Sequence, residues 1–259
     1  MEFKNKIIIL IVTILIVSLS VFGLIKLSLK ANDAKLKTGI LNEPKKEREQ
    51  RSKKALDIDY MKKAEEMTKA PKKDEQIAII KVKNYGDIKL KFFPEVAPKA
   101  VENFVTHAKN GYYNGLTFHR VINDFMIQGG DPKGNGTGGK SIWGEGFEKE
   151  VSEEYLPLRG TLSMASSSLL KSLGSQFFIT QAHFNKEKLE GMKNLSQKQL
   201  DVYSKFGGMP SLHLGYTVFG YAYEGMDVVD KIAVTETDEK TDKPVNPVVI
   251  EKIEITKAK

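Results

Sequence analysis

Apolar and polar residues alternate over short stretches through most of the chain after residue 75, which predicts a fold built mainly from short strands. Residues 77–83 and 87–93 form the first predicted pair of strands, joined by a turn at Asn84-Tyr85-Gly86. Further strands are predicted near 118–121, 125–129, 161–165, 176–180, 217–222 and 247–255.

Two helices accompany the strands. Pro98 begins a helix that ends before Gly111, since proline is favoured in the first turn of a helix and glycine just after the last. A second, shorter helix is predicted over Met226–Ile232. Eight strands and two helices predict a mainly β fold, a closed eight-stranded antiparallel β-barrel capped by the two helices.

Residues 185–207 interrupt this pattern and predict a helical insertion. Ser196 and Gln199 have the spacing of a capping box, and Leu195 and Leu200 have that of a hydrophobic staple. Gly207 is placed to end the helix.

The N-terminal region has a different character. Ile7 to Ile25 is a run of 19 residues without a charge, flanked by lysines, and a membrane-spanning helix needs about 20 apolar residues. We therefore predict a short tail over 1–6, a transmembrane anchor over 7–27 and a charged linker over 28–75. A cleaved secretory signal and a buried core helix are the two alternatives for the run.

The linker has a marginal helical pattern near 51–69, and the folded domain is predicted to span 76–259. This organisation predicts a single-pass protein of the cell membrane. The folded domain is expected outside the cytoplasm, because long soluble domains translocate largely regardless of charge.

Charge and composition narrow the classes of function. Residues 1–75 carry 17 Lys and Arg against 11 Asp and Glu, whereas residues 76–259 carry 23 against 22. The excess of basic residues thus lies in residues 1–75 and not in the predicted folded domain. A nucleic-acid-binding domain would carry such charge where it contacts the phosphates, so no nucleic-acid partner is expected. The chain has no cysteine, which excludes disulfides, thiolate metal sites and cysteine nucleophiles.

One motif imitates a nucleotide site. Gly134 to Ser141 matches the pattern G-x-x-x-x-G-K-[ST], which binds phosphates only where a helix begins at the lysine. Gly144 and Gly146 oppose a helix there, so the stretch is interpreted as a surface loop and no nucleotide is expected. The four histidines lack metal-ligand spacing, so no catalytic metal is expected. No other cofactor is expected either.

The informative stretch is F-H-R-V-I-N-D-F-M-I-Q-G-G-D, from Phe118 to Asp131. It closely resembles the signature of the cyclophilin family of peptidyl-prolyl cis-trans isomerases. Further matches follow in order as N-G-T-G-G, G-S-Q-F-F-I-T, Y-T-V-F-G and E-G-M-D-V-V. The resemblance covers nearly all of 76–259, and it is strongest to bacterial members with an insertion before the T-V-F-G strand.

The resemblance implies rotation about X-Pro bonds. No bond is broken, so the enzyme needs neither a nucleophile nor a metal, and it must bind the twisted amide better than either planar form. The family gives this role to the arginine of F-H-R, here Arg120, whose guanidinium can hydrogen-bond the twisted amide.

The remaining site residues are also implied by the resemblance. Phe125, Met126, Phe178 and Leu212 would form an apolar socket for the proline ring. Gln128 and Gln176 would orient the substrate backbone, and Gly136 and Ala165 would leave room at the groove. Ser166 and Tyr216 complete the set of expected binding residues.

Three departures from the family bear on the function. Ser166 replaces a familiar Asn, and the Pro-Asn turn that usually follows is lost in a leucine-containing loop that extends to Leu173. Ser211 replaces the Trp or His before the pocket leucine, which predicts weakened affinity for cyclosporin-type ligands.

The expected function is isomerisation of X-Pro bonds that assists the folding of exported or envelope proteins. The alternative is a tethered binding module or chaperone of the same fold with little turnover.

Overall fold

The computed structural model describes residues 57–166, 171–183 and 195–259. The tail, the anchor predicted over 7–27 and most of the charged linker lie outside this part of the chain. Within it, no helix has both the length and the apolar character needed to cross a membrane. Contacts divide the chain between Asp57 and Ile58, so the compact unit begins upstream of residue 76.

Eight of the described strands form one antiparallel sheet in the order β10-β1-β2-β9-β6-β8-β4-β3, and β5 pairs separately with β7. In chain order the strands are β1 (Gln76–Val82), β2 (Gly86–Phe92), β3 (Arg120–Ile122), β4 (Met126–Gly129), β5 (Phe147–Glu148), β6 (Thr161–Met164), β7 (Lys171–Leu173), β8 (Phe177–Thr180), β9 (Val218–Glu224) and β10 (Ile250–Lys257).

The prediction of a closed barrel is wrong. Strands β10 and β3 are the two ends of the sheet, and in the described residues the ladder between them is limited to the isolated bridge of Thr117 with Val249. Beyond this bridge the Val121 N–H of β3 donates to the Asp242 carbonyl, so the loop over 236–245, and not a continuation of β10, contacts the backbone of β3.

Four α-helices accompany the sheet in the described part of the chain: α1 (Tyr60–Thr68), α2 (Pro98–Lys109), α3 (Gln197–Phe206) and α4 (Met226–Ala233). Helix α2 has Pro at its start, as predicted. Helix α3 has the predicted capping box of Ser196 and Gln199 and ends at Gly207, where φ is +69°. The first part of the predicted insertion, residues 185–194, lies outside the described residues.

The main core lies between the sheet and helices α2 and α4. Phe104 of α2 is fully buried at its centre, and its ring lies 5.1–5.5 Å from the rings of Tyr113, Phe177 and Phe219. Ala100, Val101, Val105 and Ala108 of the same helix are buried here too, so one face of α2 packs into the core.

A second apolar cluster joins helices α1 and α3 to the body of the domain. Tyr60, Ala64 and Met67 of α1 are buried in it together with Val202 and Tyr203 of α3. The end of the charged linker is therefore part of the folded unit, although its sequence predicted a spacer with only a marginal helix.

Candidate active site

The alternation of side chains along three adjacent strands separates a small surface cluster from the main core. Val121, Ile127 and Ile179 point into the main core from β3, β4 and β8. Met126 and Phe178, which lie one residue out of phase with Ile127 and Ile179, point to the other face of the sheet.

The cluster on that face is an apolar socket. Met126, Phe178 and Leu212 are buried in it. Five partly buried residues pack around them and complete the socket wall: Ile122, Phe125, Ala165, Met209 and Tyr216. The rings of Phe178 and Tyr216 meet edge to face at 5.4 Å. All four residues expected to hold the proline ring are therefore together, and Ile122 and Met209 were not predicted.

The segment after helix α3 brings Leu212 to the socket. Gly208 donates its N–H to the carbonyl of Ala182, and Met209 donates to Pro157, which fixes the chain before the 3₁₀ turn Pro210–Leu212. Ser211 of this turn is exposed to solvent.

A polar line runs beside the socket. Arg120 and Gln128 are directly opposite each other in the β3–β4 register. The Nε2 group of Gln128 donates to Oε1 of Gln176 at 2.9 Å, and Nε2 of Gln176 donates to the carbonyls of Gly136 and Gly138 at 3.1 and 2.7 Å. The two amides expected to orient a substrate backbone are thus held in place by each other and by the glycine loop.

A cavity of about 270 Å³ adjoins this line. Five of the expected binding residues line it: Gln128, Gly136, Ala165, Ser166 and Gln176. Ala165 belongs to both the cavity and the socket, so the two form neighbouring parts of one groove. Residues 167–170 of the altered loop lie outside the described part of the chain.

The glycine loop is held by a buried carboxylate. Asp131 accepts hydrogen bonds from the backbone N–H groups of Lys133, Asn135 and Gly136 at 2.8, 3.0 and 2.6 Å. Burial alone would raise the pKa of Asp131, but these backbone donors stabilise the charged form and hold its pKa below the ordinary value. A Cβ on Gly138 would collide with Oδ1 of Asp131, so this position requires glycine.

Arg120 lies at the edge of the groove with 41% of its side chain exposed. Its Nε donates to Oδ2 of Asp242 at 3.1 Å, across 122 residues of sequence. Asp242 was not predicted, because the carboxylate lies in a loop that belongs to none of the recognised motifs. His119 is buried, and burial lowers its pKa, so it is a neutral neighbour of the arginine at physiological pH.

Among the residues that the structure describes, no group of three or more His, Cys, Asp or Glu side chains could hold a metal ion. The groove instead offers one guanidinium, two fixed amides and an apolar socket. These groups can bind a peptide and stabilise charge on a carbonyl or a prolyl nitrogen.

Residues 77–255 match the family described as cyclophilin type peptidyl-prolyl cis-trans isomerase/CLD. Relatives from Staphylococcus saprophyticus and Staphylococcus haemolyticus, named among the peptidyl-prolyl cis-trans isomerases, are 48% and 49% identical over 185 and 188 residues. Each match covers 70% of this chain and 92% of the relative.

Solved structures give the same result. A cyclophilin type peptidyl-prolyl cis-trans isomerase of Cryptosporidium parvum, crystallised in the presence of the dipeptide Ala-Pro, is 34% identical with a TM-score of 0.57. The similarity covers 70% of this chain and 98% of that one.

Proposed function

This chain belongs to the cyclophilin-type peptidyl-prolyl cis-trans isomerase family, and from that premise we propose that Arg120 and the apolar socket accelerate rotation about X-Pro bonds. The observation that carries the proposal is the adjacency of the guanidinium, the Gln128–Gln176 amide pair and the socket around Phe178 on one face of the sheet.

The proposed mechanism is preferential binding of the twisted amide. The rotation barrier is about 18–20 kcal/mol, because twisting breaks amide resonance and leaves a lone pair on the prolyl nitrogen. A charged hydrogen bond from Arg120 would contribute about 1.5–3 kcal/mol toward lowering it. That corresponds to roughly 10- to 150-fold in rate, so the apolar surroundings and substrate positioning must supply the remainder.

The substrate would lie along the groove with its proline ring in the socket. Met126, Phe178 and Leu212 would surround the ring, while Gln128 and Gln176 would hold the neighbouring peptide groups by hydrogen bonds. The related Cryptosporidium structure obtained with Ala-Pro supports a proline-containing ligand for this fold.

An exchange assay on a short X-Pro peptide tests the assignment. Arg120→Ala should lower kcat/KM by about one to three orders of magnitude, because it removes an interaction made in the transition state. Lys243→Ala, which removes an exposed positive charge from the loop beside it, should stay within about twofold of the unmodified domain. Near-normal activity of Arg120→Ala would refute the role of the guanidinium, and an inactive parent domain would favour the binding-module alternative.

We further propose that the protein is anchored by residues 7–27 in the cell membrane and acts on exported or envelope proteins. The support is the uncharged run of 19 residues upstream of the matched region, which begins at residue 77. Protease added to intact cells should remove the isomerase domain. Protection until the cells are lysed would place the domain in the cytoplasm.

Weak binding of cyclosporin-type ligands is a third proposal. Ser211 stands next to the socket residue Leu212 and offers far less apolar contact than the aromatic ring of relatives, which contributes about 1.5–3 kcal/mol when buried. Titration should show affinity about 10- to 150-fold below that of a Trp-bearing relative, with partial recovery in Ser211→Trp. Equal affinity without the substitution would contradict the proposal.

A further inference from the structure

The contact between Arg120 and Asp242 assigns a role to a carboxylate outside the expected site. The Asp242 Oδ2 atom lies 3.1 Å from Arg120 Nε, and 38% of the Asp242 side chain is exposed. We propose that Asp242 is a positioning residue, which holds the guanidinium at the rim of the groove for rotation of the X-Pro bond. This inference rests on the role of Arg120 proposed above.

The loop that carries Asp242 is attached directly to the strand of the arginine. The Val121 N–H donates to the Asp242 carbonyl at 2.8 Å, so the backbones of the two segments are joined one residue from Arg120. The Asp242 N–H in turn donates to the carbonyl of Asp238 at 2.9 Å. The backbone carbonyl of Asp242 therefore contacts β3, and its side chain contacts Arg120 of the same strand.

The same loop is stiffened from within. Asp238 Oδ1 accepts hydrogen bonds from the N–H groups of Lys240 and Thr241 and from the Thr241 hydroxyl, at 3.1, 3.0 and 2.8 Å. These bonds hold the pKa of Asp238 below its ordinary value, the Thr241 hydroxyl having the largest effect. The loop is also closed across its base by the Val245 N–H, which donates to the Glu236 carbonyl at 2.9 Å. The Asp242 carboxylate is therefore carried by a loop whose conformation these hydrogen bonds fix.

Positioning matters because an arginine side chain has many rotamers and the reaction needs one of them. A guanidinium has five N–H donors, so a contact through Nε leaves the donors on the two Nη atoms to serve a substrate carbonyl or nitrogen. An exposed ion pair adds little to global stability, so its loss should affect turnover far more than folding.

Two substitutions remove the carboxylate without straining the backbone. Asp242 has φ +57°, a conformation that asparagine and glycine tolerate better than alanine does. We expect Asp242→Asn and Asp242→Gly to lower kcat/KM about 5- to 50-fold, mainly through kcat, because small misplacements of a catalytic group are costly. The matched control is Glu239→Gln, which removes an exposed carboxylate from the same loop and should leave kcat/KM unchanged. Urea midpoints should be alike in all three variants.

A double-mutant cycle separates this inference from the proposed function. If Asp242 acts through Arg120, Asp242→Gly, which leaves no side-chain oxygen to accept from Arg120 Nε, should lower activity in the parent domain and have no further effect after Arg120→Ala. An equal loss in both backgrounds, or no loss in the parent, would overturn the positioning role while leaving Arg120 in place. Full activity of Arg120→Ala would overturn both assignments.

Ionic strength gives an independent readout. Salt screens an exposed ion pair, so kcat of the parent domain should fall as salt is raised, and Asp242→Asn should lack this dependence. Identical salt dependence in the two proteins would count against the inference.

Discussion

At the scale of single residues, Leu214 stands out because its φ is +59°, in the left-handed region that glycine occupies readily and leucine does not. The next residue, Gly215, is outside that region. In the segment Leu212-His213-Leu214-Gly215 the glycine therefore stands one position after the residue that has the left-handed backbone. The conformation is held by contacts of the flanking residues, including a hydrogen bond between the Gly215 carbonyl and Lys149 Nζ at 2.8 Å.

We expect Leu214→Gly to be more stable than Leu214→Ala by about 1 kcal/mol. Both variants lose the leucine side chain beyond Cβ, but alanine keeps the cost of a left-handed conformation, which is about 1–2 kcal/mol. The usual preference for alanine over glycine is therefore reversed at this position. Urea denaturation of the two variants measures the difference.

Gly215 provides the control for this comparison. No atom lies closer than 3.4 Å to a Cβ built on it, so Gly215→Ala should be tolerated. A Leu214→Ala variant as stable as Leu214→Gly would show that residue 214 relaxes out of the left-handed region.

At the scale of elements, helices α1 and α3 hold each other on the body of the domain. Met67 of α1 is buried in the second apolar cluster, whereas Lys205 of α3 forms a 2.8 Å ion pair with Glu65 at the surface. Nζ of Lys91 in β2 donates to the carbonyl of Glu66 at 2.9 Å, which links strand β2 to the last turn of α1. Apolar burial and one partly buried hydrogen bond therefore attach the helix.

These contacts predict unequal effects of two substitutions. Met67→Ala should lower the free energy of unfolding by about 2–5 kcal/mol, because it leaves a cavity in a buried cluster. Lys205→Ala should leave the urea midpoint nearly unchanged, since an exposed ion pair contributes little. A Met67→Ala variant of unchanged stability would mean that α1 is not attached in solution.

The elements also show which features a sequence can predict. The eight strands of the main sheet and helix α2 follow from alternation and from Pro98, because both signals are local, whereas the short strands β5 and β7 were not predicted. The open sheet depends on pairing between segments far apart in the chain, such as the contact of Val121 with Asp242. The docking of α1 depends on α3, more than 120 residues later, so the sequence around Met67 alone resembled a spacer.

The candidate site also combines residues that the sequence predicts with residues that it does not. The expected residues of the groove were found through ordered motifs, and the structure brings them together. Asp242 belongs to a loop without such a motif, and Ile122 and Met209 resemble ordinary core residues. Their proximity to the site is a consequence of three-dimensional packing that local patterns do not contain.

At the scale of the whole molecule, three histidines connect stability to pH. His107 and His119 are buried and His213 is half-buried, and in each case burial lowers the pKa. His107 also forms a 2.9 Å hydrogen bond from its ring to the Lys140 carbonyl, which weakens but does not reverse the shift. The folded domain therefore favours all three histidines in their neutral form.

We expect the free energy of unfolding to fall as the pH is lowered from 7.5 to 5.5. In the unfolded chain the histidines take up protons near their ordinary pKa of about 6.5, while in the folded domain they resist protonation. The unfolded state then binds more protons, so stability declines with falling pH, by at most about 1.4 kcal/mol for each histidine over this range. The lowered pKa of Asp131 acts in the same direction only under more acidic conditions, where carboxylates are protonated.

Urea denaturation at pH 7.5, 6.5 and 5.5 measures the trend, and His107→Gln, whose amide can still donate to the Lys140 carbonyl, should reduce the slope. Equal or greater stability at pH 5.5 would contradict the burial of these side chains in their neutral form.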